Sequence, residues 1–287
     1  MLIEKWHFFA LTFGWTWLFW IAAAVSGQSI EALPVRLLLY LGGIGPALAG
    51  ILLTYLTQDR EGRRDFWRRL IDPRRIGVGW YGAILLTVPL LTAVALLLDF
   101  LSGGSLPQFE EATRLLSQPL TVLPLVLFTL LFGPLPEELG WRGYVLDRLQ
   151  ARWNALSSSL VLGVAWALWH LPLFLMEGTF QHEMGLGSRS FWLYMIAVVP
   201  TTVLMTWIYN NTRRSTLSAV LFHFMVNFTG RLFELGVKAE PYQVLMWVVA
   251  AIAVTIIWGP ETLTRRQRAK QLKRGRKCHA QTSCTSR

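Results

Sequence analysis

The chain has 287 residues, 53% of them hydrophobic and only 15% charged, with 14 Trp. Soluble domains run near a quarter charged, so the composition argues against a soluble enzyme and suits one bundle of about eight spans at ~20 apolar residues each. The net charge of +10 would suit a nucleic-acid binder, but the basic residues crowd beside hydrophobic runs, the pattern of cytoplasmic loops attracted to anionic lipid, so nucleic acid is not expected as a partner.

In chain order, apolar runs near membrane length fall at roughly 6–26, 36–56, 80–101, 119–136, 156–176, 191–209, 215–233 and 242–259. The first follows Met1-Leu2-Ile3-Glu4-Lys5 and is long for a signal-peptide core, so it reads as a retained span. The second carries Gly42-Gly43-Ile44-Gly45-Pro46-Ala47-Leu48-Ala49-Gly50, a small-residue stripe that lets helices approach closely. The loop after it holds Arg60, Arg63, Arg64, Arg68, Arg69, Arg74 and Arg75. Within that loop, Asp65-Phe66-Trp67-Arg68-Arg69-Leu70-Ile71 reads as an amphipathic interfacial segment, aromatics toward lipid and Arg toward water.

A second basic cluster, from Arg265 to Lys277, follows the last run. With the N-terminus inside, only Arg36, Arg114, Arg189, Arg231 and Lys238 fall on outward segments. The positive-inside rule therefore gives an all-α polytopic membrane protein, integral to the plasma membrane, with both termini cytoplasmic. Residues 1–261 form one membrane domain, and 262–287 read as a basic, disordered tail. Cys278 and Cys284 lie together in that tail and cannot staple the body. The final Cys284-Thr285-Ser286-Arg287 is a poor prenylation signal.

Three stretches place ionisable side chains where lipid would exclude them: Glu137-Glu138-Leu139-Gly140-Trp141-Arg142, His170 in Trp166-Ala167-Leu168-Trp169-His170-Leu171-Pro172, and His223-Phe224-Met225-Val226-Asn227. A charged group in a membrane is costly unless paired or facing a wet cavity. Each stretch has a structural explanation: a solvated helix end, a hydrogen-bonded core His, an interhelical glue pair. Three such constellations on three spans are harder to dismiss together.

Glu137 and Glu138 are consecutive and point about 100° apart, whereas Glu138 and Arg142 stand at i and i+4, the spacing of an intrahelical ion pair. The simplest division makes Glu138–Arg142 an orienting pair and leaves Glu137 free to face a cavity. His223 and Asn227, again at i and i+4, share a face. A carboxylate and a His can hold and deprotonate a water, and a second His with an Asn can stabilise the oxyanion formed when water attacks an amide.

Depth is the difficulty. Glu137 closes a span arriving from outside and should lie near the cytoplasmic boundary, whereas His170 lies roughly 15–21 Å and His223 about 12 Å into rising spans. The fourth span must stop short, or the fifth must begin in the cytosol, to make a funnel open to the cytoplasm.

Glu137-Glu138-x-x-x-Arg142-Gly143, Trp166-x-x-x-His170-x-Pro172 and His223-x-x-x-Asn227 resemble the three signature motifs of the CPBP family, the CAAX protease and bacteriocin-processing (Abi) proteins that include the type II CAAX prenyl endopeptidases. The match covers roughly residues 135–228, with Trp141 where Phe is common. The resemblance implies an eight-helix intramembrane protease with a cytoplasm-facing cavity. By motif, Glu137 resembles its water-activating glutamate, His170 that residue's partner, and His223 and Asn227 the oxyanion pair. Glu138 and Arg142 match the second Glu and the Arg of the first motif.

The expected partners are membrane lipids and a protein or peptide substrate, for which a prenylated C-terminus is one class. No cofactor is expected. Zinc is the alternative, since Glu and His are legitimate ligands, but there is no His-Glu-x-x-His and the two His lie on different spans. His182-Glu183 reads as a solvated loop pair. A non-catalytic immunity or scaffold protein keeping the motifs as structure is the other alternative. A transporter would show inverted halves, and none is visible.

Overall fold

The computed structural model describes residues 2–104, 109–233 and 236–265, with side chains from Trp6 onward. Among the described residues there is no strand. The helices are α1 (Leu2–Val25), α2 (Leu33–Gly43), α3 (Gly45–Thr57), α4 (Arg60–Ile71), α5 (Val78–Leu101), α6 (Glu110–Ser117), α7 (Val122–Phe132), α8 (Pro134–Gly140), α9 (Leu146–Gln150), α10 (Ala155–Trp169), α11 (Phe180–Met184), α12 (Arg189–Asn211), α13 (Thr216–Leu232) and α14 (Glu240–Trp258). Seven stretches among the described residues are long and apolar enough to cross a membrane. The eighth expected span, 215–233, is α13, a 17-residue helix whose buried face includes His223. The protein is an all-α polytopic membrane protein.

Side-chain caps start the helices that matter for the site. Asn154 accepts from Ser157 N at 2.7 Å ahead of α10, and Ser215 accepts from Ser218 N at 3.2 Å ahead of α13. Each satisfies an orphan donor of a first turn and fixes where its helix begins. The second expected span is divided at Ile44, between α2 and α3, with Pro46 in the first turn of α3.

The small-residue stripe of α2 and α3 serves close packing. A Cβ on Gly50 would lie 2.9 Å from the Leu139 carbonyl oxygen, and one on Gly140 would lie 2.4 Å from that of Pro46. Bare backbone therefore meets bare backbone, seating α3 directly against α8. On the other side Phe8 of α1 packs on the Trp141 and Tyr144 rings, and Trp20 on Trp169 at 4.6 Å between centroids.

The interfacial segment departs from expectation. In α4 Phe66 faces protein, buried against Ala47 and Leu139. Gly143 allows this, because a Cβ there would stand 3.3 Å from the Phe66 ring.

At the head of the expected tail, Asn210 and Asn211 donate side-chain amides to the carbonyls of Thr262 and Leu263 at 2.9 and 2.7 Å, and Leu263 is buried. The remainder of that tail, 266–287, lies outside the described residues.

Candidate active site

The first motif lies on a helical path that does not stop at the charges. α8 opens with Pro134 and Pro136, passes Glu137 and Glu138, runs through a π-helical turn at Trp141–Val145, and continues as α9. π-Turns inside α-helices recur at functional sites, where the extra residue re-aims side chains. The 100° between adjacent residues sends the two carboxylates to different neighbours. Glu138 receives Arg142 Nη1 on both oxygens, at 2.8 and 3.0 Å, and lies 3.0 Å from His223 Nδ1. Glu137 receives the Trp166 indole N–H on Oε2 at 2.6 Å. Its other oxygen has no hydrogen-bond partner among the described residues.

Trp166, which opens the second motif but was given no role from the sequence, is the residue around which the site is built. Its N–H holds Glu137, its ring lies 4.9 Å under the Arg142 guanidinium, and its edge meets His223 at 5.0 Å between centroids. A cation over an indole face is attracted to it, which matters because Arg142 is wholly buried and its Nε and Nη2 find no acceptor among the described residues. The available signal was spacing. Trp166 and His170 stand at i and i+4, so they share a face.

His170 ends α10 because of Pro172, which has no N–H for the next helical bond. The last turn tightens, the His170 backbone N–H bonding Ala167 O at 3.2 Å. The Trp166 carbonyl then faces the His170 ring, whose Nδ1 approaches it at 2.8 Å. A carbonyl only accepts, so Nδ1 carries the proton and Nε2 keeps its lone pair in the neutral ring. Tyr194 of α12 meets His170 edge-on at 5.7 Å between centroids.

His223 is fixed by the same logic. Glu138, paired to Arg142, accepts from Nδ1, so Nε2 donates only when the ring is protonated. Asn227 stands one turn beyond, exposed, and its Nδ2 would be 3.4 Å from a Cβ on Gly133. The structure thus brings Glu137, Glu138, Arg142, His170 and His223 together around Trp166. It leaves Asn227 at the edge, with its amide unbonded among the described residues.

The depth difficulty came from ending the fourth span at 136. The helical path runs on to Gln150 because the charges that interrupt its hydropathy are buried and paired. Counted from the 151–154 turn, Glu137 and His170 then stand about 20 and 22 Å along their helices at 1.5 Å per residue. No short fourth span and no cytosolic start to α10 is needed.

Toward that turn a second polar group ties the motif-bearing elements together. Asp147 of α9 accepts from Arg69 of α4 and from Arg214, which precedes the cap of α13, with Arg214 Nε at 2.7 Å. Asp65 accepts from Arg69 at 2.6 Å and Arg75 at 2.5 Å. Burial alone would lower the Arg214 value, but the charge of Asp147 outweighs it and holds it above that of a free guanidinium.

Among the described residues, no group of three or more His, Cys, Asp or Glu stands close enough to hold a metal ion. A family described as type II CAAX prenyl endopeptidase Rce1-like matches residues 119–229, the stretch that contains all three motifs. A Methanococcus maripaludis protein named CAAX prenyl protease 2 is 30% identical over 251 residues, which covers 85% of this chain and 91% of the relative. The chain belongs to this Rce1-like CAAX prenyl endopeptidase family, whose members are membrane proteases acting on peptide bonds.

Proposed function

We propose that the chain cleaves its substrate within the membrane by a glutamate-activated water. The observation that carries this is the asymmetric hold on Glu137: Trp166 fixes one carboxylate oxygen at 2.6 Å and the other stays unbonded among the described residues, while the Trp166 carbonyl holds a His170 whose Nε2 is unprotonated. Glu137 takes a proton from the water as the water oxygen attacks the amide carbon, and His170 Nε2 orients that water. Protonated His223, through Nε2–H, and the Asn227 amide stabilise the oxyanion. The proton on Glu137 then passes to the amide nitrogen as the C–N bond breaks. Glu138 and Arg142 are positioning residues: the Arg142-held carboxylate accepts from His223 Nδ1 and orients the ring.

The reading uses no metal. The Glu138 carboxylate is neutralised by Arg142 and bonded to His223, which leaves it a poor ligand. The substrate is a protein or membrane peptide, of which a prenylated C-terminal Cys-a-a-X protein is the leading class, as the relative's name suggests. Both termini sit on the cytoplasmic side of the plasma membrane, on the side of the basic segments.

The test is hydrolysis of a farnesylated peptide by the reconstituted protein, with membrane-peptide proteomics of cells carrying Glu137→Gln. Losing a general base costs about 10²–10⁴-fold in rate, and the same precursors should accumulate in the variant as in a deletion strain. Normal turnover by Glu137→Gln ends the mechanism. Inhibition by a chelator, reversed by zinc, ends the metal-free reading.

A further inference from the structure

The arginine loop has a use beyond topology. A cavity of about 550 Å³ opens between the end of α3, α4, α9 and Arg214, within the size range of roughly 300–1,000 Å³ usual for ligand sites. Four guanidinium groups line it, those of Arg69, Arg148, Arg152 and Arg214, against the carboxylates of Asp65 and Asp147. Both carboxylates are committed, Asp147 to Arg69 and Arg214, and Asp65 to Arg69 and Arg75. Arg152 is exposed and pairs with no carboxylate among the described residues. The cavity therefore keeps an excess of positive charge and planar donors, the chemistry that recognises a phosphate.

The helices that form it also carry lipid-facing surface. Leu56 at the end of α3 and Ile71 at the end of α4, outside the cavity lining, are about 70% exposed, where acyl chains would lie against a membrane protein. A basic pocket built on helices with such exposed apolar surface, at the end of several spans, fits an anionic amphiphile better than a soluble anion. We propose that this cavity is a phosphate-binding site for the headgroup of an anionic phospholipid. The lipid bridges α4, α9 and the turn before α13. Asp147 lies nine positions beyond Glu138, and Arg214 nine before His223, so an occupant braces both motif-bearing helices from one end.

The test uses the full chain in nanodiscs of phosphatidylcholine alone or with phosphatidylglycerol, followed by native mass spectrometry of lipid retained after detergent transfer. Phosphatidylglycerol should be retained in preference, and Arg152→Gln should lower its retention about fivefold, the effect of one arginine at an anionic surface. Because Arg152 is exposed and pairs with no carboxylate among the described residues, the variant's melting temperature in phosphatidylcholine should match the parent's, and Arg152→Glu should lower retention further. Equal retention of the two lipids by the parent overturns the proposal, as does retention unchanged in both variants. Inorganic phosphate that stabilises the protein in phosphatidylcholine as much as phosphatidylglycerol does, with the effect lost in Arg152→Gln, overturns the lipid assignment in favour of a soluble anion.

Discussion

Arginine–carboxylate pairing occurs at two levels of this molecule, and the surroundings make two different devices of it. At the active site, Glu138 and Arg142 are 0% exposed, joined across one helical turn, with His223 on the carboxylate and the Trp166 ring under the guanidinium. Toward the 151–154 turn, Asp147 and Asp65 gather Arg69, Arg75 and Arg214, with exposures from 13% at Asp147 to 49% at Arg214. Exposed pairs contribute about 0–1 kcal/mol, whereas removing one half of a buried pair costs about 3–5 kcal/mol. The inner pair holds a geometry that has no water to relax into. The outer group ties elements together and can rearrange around a ligand.

The sharpest way to break this contrast is to remove one cation from each. Arg142→Met leaves the buried Glu138 without its guanidinium, with only His223 as a partner, so a loss of about 3–5 kcal/mol is expected, read as a large fall in melting temperature in nanodiscs. Adding Glu138→Gln should restore most of that stability without activity, because His223 then faces an amide in place of a carboxylate. Arg214→Gln, at the outer group, should cost about 1 kcal/mol or less. Equal losses at the two sites would mean that burial does not separate them.

A smaller effect tests the packing that seals the inner pair. Gly140→Ala drives a Cβ to within 2.4 Å of the Pro46 carbonyl oxygen, and overpacking of this kind costs about 1–3 kcal/mol. Gly82→Ala, with nothing within 4 Å, should cost nothing in the same melt. A neutral Gly140→Ala would show that α3 and α8 can part, and that the site is less tightly sealed than its geometry implies.

Much of the site could be read from the sequence because its charges had no other reason to be there. The i, i+4 spacing of Glu138 and Arg142 and the divergence of Glu137 from Glu138 follow from helix geometry alone. The role of Trp166, quoted only as a motif position, escaped because an indole in an apolar run reads as core, and only its partner across 29 positions shows that its N–H is committed. The end of the fourth span was misplaced for a related reason: hydropathy scores each charge as though it stood alone, and the ion pair and aromatic cover that admit it are tertiary facts. The orientation of α4 failed likewise, since the space for Phe66 comes from Gly143, far along the chain.

The smallest expected effect is one of pH, and it belongs to the outer group. Burial pulls the Asp65 carboxyl up, but hydrogen bonds and charge from Arg69 and Arg75 outweigh it and hold the group below the ordinary carboxylate range. A carboxyl lowered in the folded state adds stability above its unfolded value of about 3.9 and loses it as pH falls through the folded value. With the side chain 35% exposed, water screens the contribution to below about 1 kcal/mol. Between about pH 5 and pH 3, then, the parent's melting temperature should fall slightly more steeply than that of Asp65→Asn. The difference should vanish in about 1 M salt, where the screening length drops to about 3 Å. A difference that survives molar salt would place Asp65 in surroundings as dry as those of Glu138, and the two levels would no longer be two devices.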